Sequence, residues 1–330
     1  MKTFLFIAFL SLLRAAALAA VEEPIDSRFK PIAADPVMGD WQGSGESHFV
    51  AQIVVDEHGD YQANLLSAFD APDNVIATLR GQKREGRVTL KGGGWSGAIE
   101  HGHFTGSGTA GSFDLQHVTR KPATLGAQPP AGAIVLFDGK SLHAWANKQG
   151  RNWLTENGPA PWTIVEGGIL EVVPGSGGGI ISHETFGDCH VHVEFRTLGR
   201  PTNSGVYLQT RYEVNINESY AALDGTPSGG LDNCTPKTAK PRIRASRPPL
   251  EWQTLDIDFV APRFDPAGQK TAKPRATVLL NGVRLYQDQE LDPPTGAAGR
   301  LGEAATGPLM LQEHGMPVQF RNVWITRSTR

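Results

Sequence analysis

The sequence predicts an all-β protein in which a two-sheet β-sandwich of jelly-roll type follows a small antiparallel β domain. Gly and Pro supply 38 and 23 of the 330 residues, a turn-rich composition that disfavours long helices. Short apolar runs separated by Gly-rich turns recur along the chain, as expected of strands. From residue 133 onward about ten or more such runs fall within roughly 200 residues, which is typical of a two-sheet sandwich.

The chain begins with the pattern of a secretory signal. Lys2 provides the positive start, residues 4–13 are apolar, and small residues end at Ala19-Ala20. We therefore expect residues 1–20 to be a signal peptide cleaved near Ala19-Ala20, and the mature protein to be secreted or periplasmic. No later apolar stretch is long enough to predict a membrane span.

The remaining chain divides at a segment of low complexity. Residues 21–118 contain regularly spaced short strands and predict a small β-sheet or barrel. Residues 119–132 are rich in Pro and small residues and predict a linker. Residues 133–330 carry the sandwich pattern, with Asn281-Gly282 between two apolar runs as its sharpest hairpin signal.

Charge, cysteine and glycine patterns exclude several functional classes. The formal net charge is −3, so no basic field favours nucleic acid. There is no dinucleotide-binding or P-loop motif, no Cys-x-x-Cys pair, and no set of three metal ligands at suitable spacing. No cofactor or metal is firmly implied, although a structural calcium ion remains open. Cys189 and Cys234 could form one disulfide or remain two buried thiols.

Strand alternation selects the first candidate site residues. Glu194 and Arg196 project from one face of a strand, as a substrate-binding pair or as a solvated ion pair. Tyr207 and Gln209 alternate in the same way on a following strand, where Tyr207 is a sugar contact or a core aromatic. Glu213 is a candidate general base or a surface carboxylate.

Further candidates lie near strand ends. His314 follows Gln312 where a strand gives way to a Gly turn, and an imidazole there suits acid–base work or is a loop residue without a role. Arg321 could bind an oxyanion or pair with a carboxylate. Trp252 could stack on a sugar ring or belong to the core.

Several ordered motifs carry a resemblance to a known family. The most specific are the segments at residues 135–142, 162–168, 193–196, 203–208, 212–214, 251–254, 279–283, 309–315 and 320–323. Together they resemble the 3-keto-disaccharide hydrolase domain family over about residues 133–327. Two carboxylates depart from its pattern: Glu313 and Glu218 stand where the family commonly has Asp.

The resemblance implies a concanavalin-A-like β-sandwich and cleavage of 3-keto-glycosides, with the ketone made by a separate oxidoreductase. A 3-ketone acidifies the C2 proton, so a base can remove it, the C1 substituent can leave, and water can add. We predict Glu213, His314 and Glu194 as catalytic residues. The predicted substrate-binding residues are Arg196, Asn203, Tyr207, Gln209, Trp252, Gln312 and Arg321.

The chemistry requires these side chains to meet. We expect Glu194, Arg196, Tyr207, Glu213 and His314 to converge in one concave pocket that accepts a carbohydrate. The alternatives are a non-catalytic, lectin-like carbohydrate-binding protein and, more weakly, an envelope protein whose N-terminal sheet docks a partner.

Overall fold

A computed structural model describes residues 25–43, 48–148, 156–223, 227–231, 241, 243–291, 294 and 301–328. Their regular elements are β-strands, so the predicted all-β fold class is confirmed. The signal predicted at residues 1–20 lies outside these residues. Within the described parts of the chain no helix is long and apolar enough to cross a membrane.

The N-terminal unit is a closed barrel of eight antiparallel strands, each paired with the next, with the last returning to the first. Its core is aromatic: Trp41, Phe104 and Phe113 pack edge to face, and Trp95 lies tilted against Phe113. Because side chains alternate along a strand, the residues between the core residues point to the outside of the barrel. The barrel strands are β2 (Gly39–Gly43), β3 (Val50–Val55), β4 (Asp60–Leu66), β5 (Val75–Arg84), β6 (Arg87–Gly92), β7 (Trp95–Glu100), β8 (His103–Gly108) and β9 (Gly111–Val118). A short β1 (Lys30–Pro31) precedes them.

The C-terminal unit is a sandwich of an eight-stranded and a six-stranded sheet. The eight-stranded sheet contains β10 (Ile134–Phe137), β13 (Thr163–Val165), β14 (Ile169–Glu171), β16 (Cys189–Thr197), β20 (Gln253–Val260), β23 (Arg275–Leu280), β24 (Val283–Glu290) and β26 (Val318–Arg327). The six-stranded sheet has the order β12 (Glu156–Pro159), β11 (Trp145–Lys148), β15 (Ile180–Phe186), β25 (Gly307–Leu311), β18 (Asn203–Leu208), β19 (Tyr212–Asn217). Short pairs β1 with β17 (Gly199–Arg200), and β21 (Arg263–Phe264) with β22 (Lys270–Ala272), complete the set.

One hydrophobic core fills the space between the two sheets. Val191, Val193 and Phe195 of β16 face it from one side, and Val206 and Leu208 of β18 from the other. Because side chains alternate, the residues between them point to the two outer faces of the sandwich. The predicted hairpin at Asn281-Gly282 is confirmed, since both residues have positive φ and join β23 to β24.

The barrel and the sandwich are joined by buried polar contacts. Asp40 of the barrel is 1% exposed and accepts hydrogen bonds from Arg120 Nε at 2.7 Å and Tyr220 Oη at 2.8 Å. Asn64 Nδ2 donates to Ala221 O at 2.8 Å. Strand β1 pairs with β17 of the sandwich. These bonds hold one face of the barrel against the loop that follows β19.

Cys189 begins β16 as a buried, free cysteine. Burial, together with the charge of Asp188, raises the pKa of its thiol to about 12. Its predicted alternative partner, Cys234, lies outside the described residues.

Candidate functional site

A row of in-register residues crosses the outer face of the six-stranded sheet. Ala146 pairs with Ile181, Ile181 with Met310, Met310 with Tyr207, and Tyr207 with Glu213. The first four form a small apolar cluster separate from the main core. All five are buried, although alternation points them away from the sandwich interior. This outer face therefore carries an enclosed strip that ends in a phenol and a carboxylate.

Gln312 and Tyr207 are bonded to each other at the polar end of this row. Gln312 Nε2 donates to Tyr207 Oη at 3.0 Å. The Gln312 backbone is fixed from both sides, since its N–H donates to Gly205 O and its carbonyl accepts from Ser204 Oγ. Gln312 Oε1 is buried without a hydrogen-bond partner among the described residues. Burying a carbonyl oxygen without a hydrogen-bond partner is unfavourable. This oxygen is therefore well placed to accept a hydrogen bond from a ligand.

Glu213 lies over a glycine of the neighbouring strand. A Cβ atom added to Gly205 would come 2.8 Å from Glu213 Oε1 and 3.1 Å from its Cγ. The carboxylate therefore uses the space that the missing side chain leaves. Glu213 is 5% exposed, and burial of a carboxylate is unfavourable, a cost often associated with functional sites. We call Tyr207, Glu213 and Gln312 the outer-face cluster.

Two further ionisable groups interact near this sheet: Lys148 at the end of β11, and Glu313, the residue after Gln312. Lys148 ends β11 and is 5% exposed; its burial lowers the pKa of its ammonium, against the opposing charge of Glu313. Glu313 accepts hydrogen bonds from the backbone N–H groups of Gly175 and Gly178 at 3.2 and 3.0 Å. It therefore shapes the glycine loop beside Lys148. Four strand spacings separate β11 from β19, roughly 19 Å along the sheet.

Lys148 was missed by the sequence reasoning because the four-residue strand that carries it has no clear alternation. Its burial is a tertiary property, and no local pattern distinguishes it from the surface lysines of the chain.

Asn203 and His314 lie at the margins of this face. Asn203 begins β18 with the same alternation as Tyr207 and pairs with Asn217, so it extends the polar surface along the strand. His314 is exposed, and its charge contributes to the low pKa of Asp26, after the larger effect of Arg28. No hydrogen bond joins His314 to the outer-face cluster in the described part of the chain.

The predicted convergence of the candidate residues is wrong, so a catalytic interpretation that requires all five to meet is not supported. Of the five, only Tyr207 and Glu213 come together. Glu194 and Arg196 belong to β16 of the eight-stranded sheet, where Val193 and Phe195 face the core. The two charged residues therefore point to the outer face on the far side of the sandwich from Tyr207 and Glu213. The physical reason is that neighbouring segments in sequence lie in different sheets, which alternation within one strand cannot show.

Glu194 lies in a buried hydrogen-bond network and not in an open site. It is fully buried and accepts hydrogen bonds from Arg321 Nε at 2.6 Å, Asn322 Nδ2 at 2.9 Å and the Gly126 N–H at 2.6 Å. Burial alone would raise its pKa, but the His192 ring, 3.7 Å away, followed by the hydrogen bonds from Asn322, Arg321 and Gly126, lowers it to about 2. The segment predicted as a linker thus runs across this face and closes it, which leaves no room for a substrate at Glu194.

His192 lies in the same buried polar layer. Its Nδ1 is 2.6 Å from Asp256 Oδ1, and its ring stacks on Trp324 with centroids 4.9 Å apart. Burial opposes its charged form, yet the hydrogen bond to Asp256 and the carboxylate of Glu194, 3.7 Å from its Nε2, raise its pKa. Thr124 Oγ1 also donates to Asp256 at 2.6 Å. The layer fastens residues 124–127 to the sheet.

The remaining predicted binding residues are also separated from the outer-face cluster. The guanidinium groups of Arg196 and Arg321 lie over the Trp252 ring, 4.7 and 4.1 Å from its centroid, on the eight-stranded side. They cover the ring that was expected to stack on a sugar. Gln209 is buried in the turn after β18, where its Nε2 donates to Phe186 O and Ala305 O. Its contacts hold two loops together.

The described residues contain no group of three or more His, Cys, Asp or Glu side chains arranged to hold a metal ion.

The geometry defines a β-sandwich protein with an enclosed polar cluster on the outer face of its smaller sheet. Residues 132–326 match the family described as the 3-keto-alpha-glucoside-1,2-lyase-like domain. The chain belongs to this family, and the resemblance stated from its motifs is confirmed. The match begins after the barrel, so the barrel is an additional unit.

Two solved structures extend the comparison. A putative glycosyl hydrolase from Parabacteroides distasonis is 32% identical, with a TM-score of 0.52, over 60% of this chain and 85% of that one. A second putative glycosyl hydrolase from the same organism is 19% identical, with a TM-score of 0.39, over 60% of this chain and 94% of that one. No curated protein gave a significant match. Together the family and the first structure support a carbohydrate-active, hydrolase-like function.

Proposed function

We propose that this protein cleaves 3-keto-glycosides at the outer-face cluster. The observation that carries the proposal is the buried carboxylate of Glu213, paired across the strands with Tyr207 on a sheet face that the core does not need. The family match supports the substrate class. A separate oxidoreductase would supply the ketone, since the chain has no dinucleotide-binding motif.

The reaction follows from the acidity that a 3-ketone confers on C2. Glu213 takes the C2 proton, the C–H electrons form the enolate, and the negative charge moves to the C3 oxygen. Tyr207, whose oxygen accepts from Gln312, donates its hydroxyl proton in a hydrogen bond to that oxygen. The enolate then expels the C1 substituent. The departing C1 oxygen takes a proton from water. Addition of the resulting hydroxide to C1, with return of the proton from Glu213 to C2, completes a net hydrolysis. Release of the unsaturated sugar, with transfer of the Glu213 proton to that hydroxide, completes an elimination.

The proposal is tested with a 3-keto-disaccharide and its unoxidised parent. We expect cleavage of the ketone only, and exchange of its C2 hydrogen with solvent deuterium. Glu213→Gln should lower turnover by roughly 10²–10⁴-fold, the usual contribution of a general base. The matched control is Glu166→Gln, because Glu166 is exposed on a hairpin away from the cluster.

Two outcomes would contradict the proposal. Equal cleavage of oxidised and unoxidised sugar would remove the role of the ketone. Saturable sugar binding without turnover would instead favour the lectin-like alternative, in which Glu213→Gln changes affinity alone.

We also propose that the protein is exported, on the basis of residues 1–20. N-terminal sequencing of protein recovered from the periplasm or medium should begin near residue 20 or 21; recovery of an uncleaved chain from the cytoplasm would refute this.

A further inference from the structure

A large cleft separates the barrel from the sandwich. Its volume is about 800 Å³, within the range of roughly 300–1,000 Å³ common for small-ligand sites. Outward-facing residues of β3 to β6 form one wall, and Arg200, Glu218 and Tyr220 belong to the other. A second cavity of about 450 Å³ shares Asp56 and Arg200 with the first, so the space is elongated. Neither cavity includes a residue of the outer-face cluster.

The barrel wall is a ladder of planar polar side chains. Asp60, Gln82 and Thr89 lie in register on adjacent strands, and Gln82 Nε2 donates to Asp60 Oδ1 at 2.8 Å. One step along, an Arg80 guanidinium nitrogen donates to Gln62 Oε1 at 2.9 Å. These bonds orient amide and guanidinium groups side by side toward the cleft. Each keeps further donors or acceptors for a ligand.

The sandwich wall is fixed by buried hydrogen bonds. The Glu218 side chain is 1% exposed and accepts from Thr197 Oγ1 at 2.5 Å and from Arg200 at 3.1 Å. Tyr220 is held by its hydroxyl on Asp40 and packs with Val54 of the barrel and Ala221. Both walls are therefore built before a ligand arrives, which reduces the entropy lost on binding.

The charged side chains that line the cleft indicate which class of ligand it binds. The first cavity is lined by three cationic and three carboxylate side chains: Arg80, Arg84, Arg200, Asp56, Asp60 and Glu218. This balance gives no net field that would favour an anion. The amide, guanidinium and carboxylate groups of its lining can donate hydrogen bonds to, and accept them from, a ligand with many hydroxyl groups.

We propose that this cleft is an accessory binding site for a neutral oligosaccharide of two or three sugar rings. The choice of a saccharide rests on the proposed function, because a chain that cleaves oxidised glycosides meets glycans. The position agrees with this, since Glu218 of the cleft directly follows Asn217, which shares the alternation of Glu213 on β19. The barrel thus retains a glycan beside the sandwich while the outer-face cluster acts.

The test is calorimetric titration of the full-length mature chain with maltotriose, cellotriose and xylotriose. We expect at least one of them to bind. The double variant Arg80→Ala/Gln82→Ala should weaken binding by about tenfold or more, as expected for loss of two polar contacts. Thr89→Arg places a long side chain in the cleft and keeps the hydrogen bonds between Gln82 and Asp60 and between Arg80 and Gln62. It should also weaken binding by about tenfold or more. The matched control is Lys91→Ala, because Lys91 is exposed on β6 but outside the cleft.

The result is independent of catalysis. The probes have no ketone, and Glu213→Gln should retain the affinity of the parent chain for them. Absence of binding for all three sugars would overturn the proposal, as would binding that the cleft variants leave unchanged. Loss of 3-keto-sugar cleavage with intact trisaccharide binding would instead refute the proposed function alone.

Discussion

Glu194 offers the sharpest distinction between a structural and a catalytic carboxylate. The change Glu194→Gln keeps the shape of the side chain and removes its charge. It leaves the Arg321 guanidinium, 2.6 Å away, without its counterion, and it leaves His192 with Asp256 as its carboxylate partner. The N–H of Gly126 also loses its charged acceptor. We expect the protein to fold less stably while the outer-face cluster on the other sheet remains unchanged.

The size of the effect can be estimated in two ways. Removal of one partner from a buried ion pair costs about 3–5 kcal/mol, and the lower end applies here because Arg321 is 36% exposed and water screens it. Independently, a change in the Glu194 pKa from the ordinary 4.5 to about 2 corresponds to roughly 3 kcal/mol. Both routes give about 3 kcal/mol.

The same carboxylate predicts how stability depends on pH. Its pKa is lower in the folded than in the unfolded state, so its contribution is fully present above the unfolded pKa. It is lost as the pH falls from about 5 towards about 2. The contribution of His192 to stability depends on pH in the opposite direction, because its pKa is raised in the folded state. This contribution is fully present below the unfolded pKa of about 6.5. It is lost as the pH rises through the pKa of the folded state.

Urea unfolding followed by circular dichroism measures these effects, and turnover of the 3-keto substrate is measured alongside. The control is Asp258→Asn on the same sheet face, because Asp258 is 56% exposed and should cost less than about 1 kcal/mol. The difference between the parent and Glu194→Gln should shrink from about pH 7 to about pH 3. Unchanged stability with a hundredfold loss of turnover would show that Glu194 is catalytic and refute the structural interpretation.

Three further predictions concern other parts of the molecule. Gly205→Ala should lower turnover with little loss of stability, because the new Cβ displaces the end of the flexible Glu213 side chain; equal turnover would show that the Glu213 position is unimportant. Tyr220→Phe should lower the free energy of unfolding by about 1–3 kcal/mol, because Asp40 loses a buried donor, and a thermal melt at unchanged Tm would contradict this. In a Cys234→Ser background, Cys189 should resist a thiol reagent at pH 8 until urea is added, because its pKa is raised to about 12; rapid labelling of the folded chain would refute its burial.

The sequence predicted the fold well because strands have a local signal. Glu194 and Arg196 share one face of the strand Cys189–Thr197, as alternation predicted, and Val193 and Phe195 face the core. The Asn281-Gly282 turn needs two positive φ angles, which these two residues adopt readily. A short strand such as Trp145–Lys148 contains too few residues to show a pattern, and no strand was predicted there.

The candidate site was only partly predictable, since it depends on which sheet each strand joins. Tyr207, Glu213 and Gln312 were identified as candidates and lie together. Glu194 showed the same alternation of charged and apolar neighbours, yet it belongs to the other sheet. Its environment depends on residues 124–127, which are about 70 residues away in sequence. The composition of that segment predicted only a linker.

The two outer faces of the sandwich have different surroundings, and the placement of residues 119–132 explains why. A sandwich needs only its inner faces for the core, so both outer faces are available for other contacts. Here the segment that joins the barrel to the sandwich covers the eight-stranded face with charged hydrogen bonds to Glu194 and Asp256, and Arg120 at its start binds Asp40 of the barrel. The contacts on that face therefore help to hold the barrel against the sandwich. Under the proposed function, the substrate is therefore met at the six-stranded face, where Tyr207 and Glu213 pair across neighbouring strands.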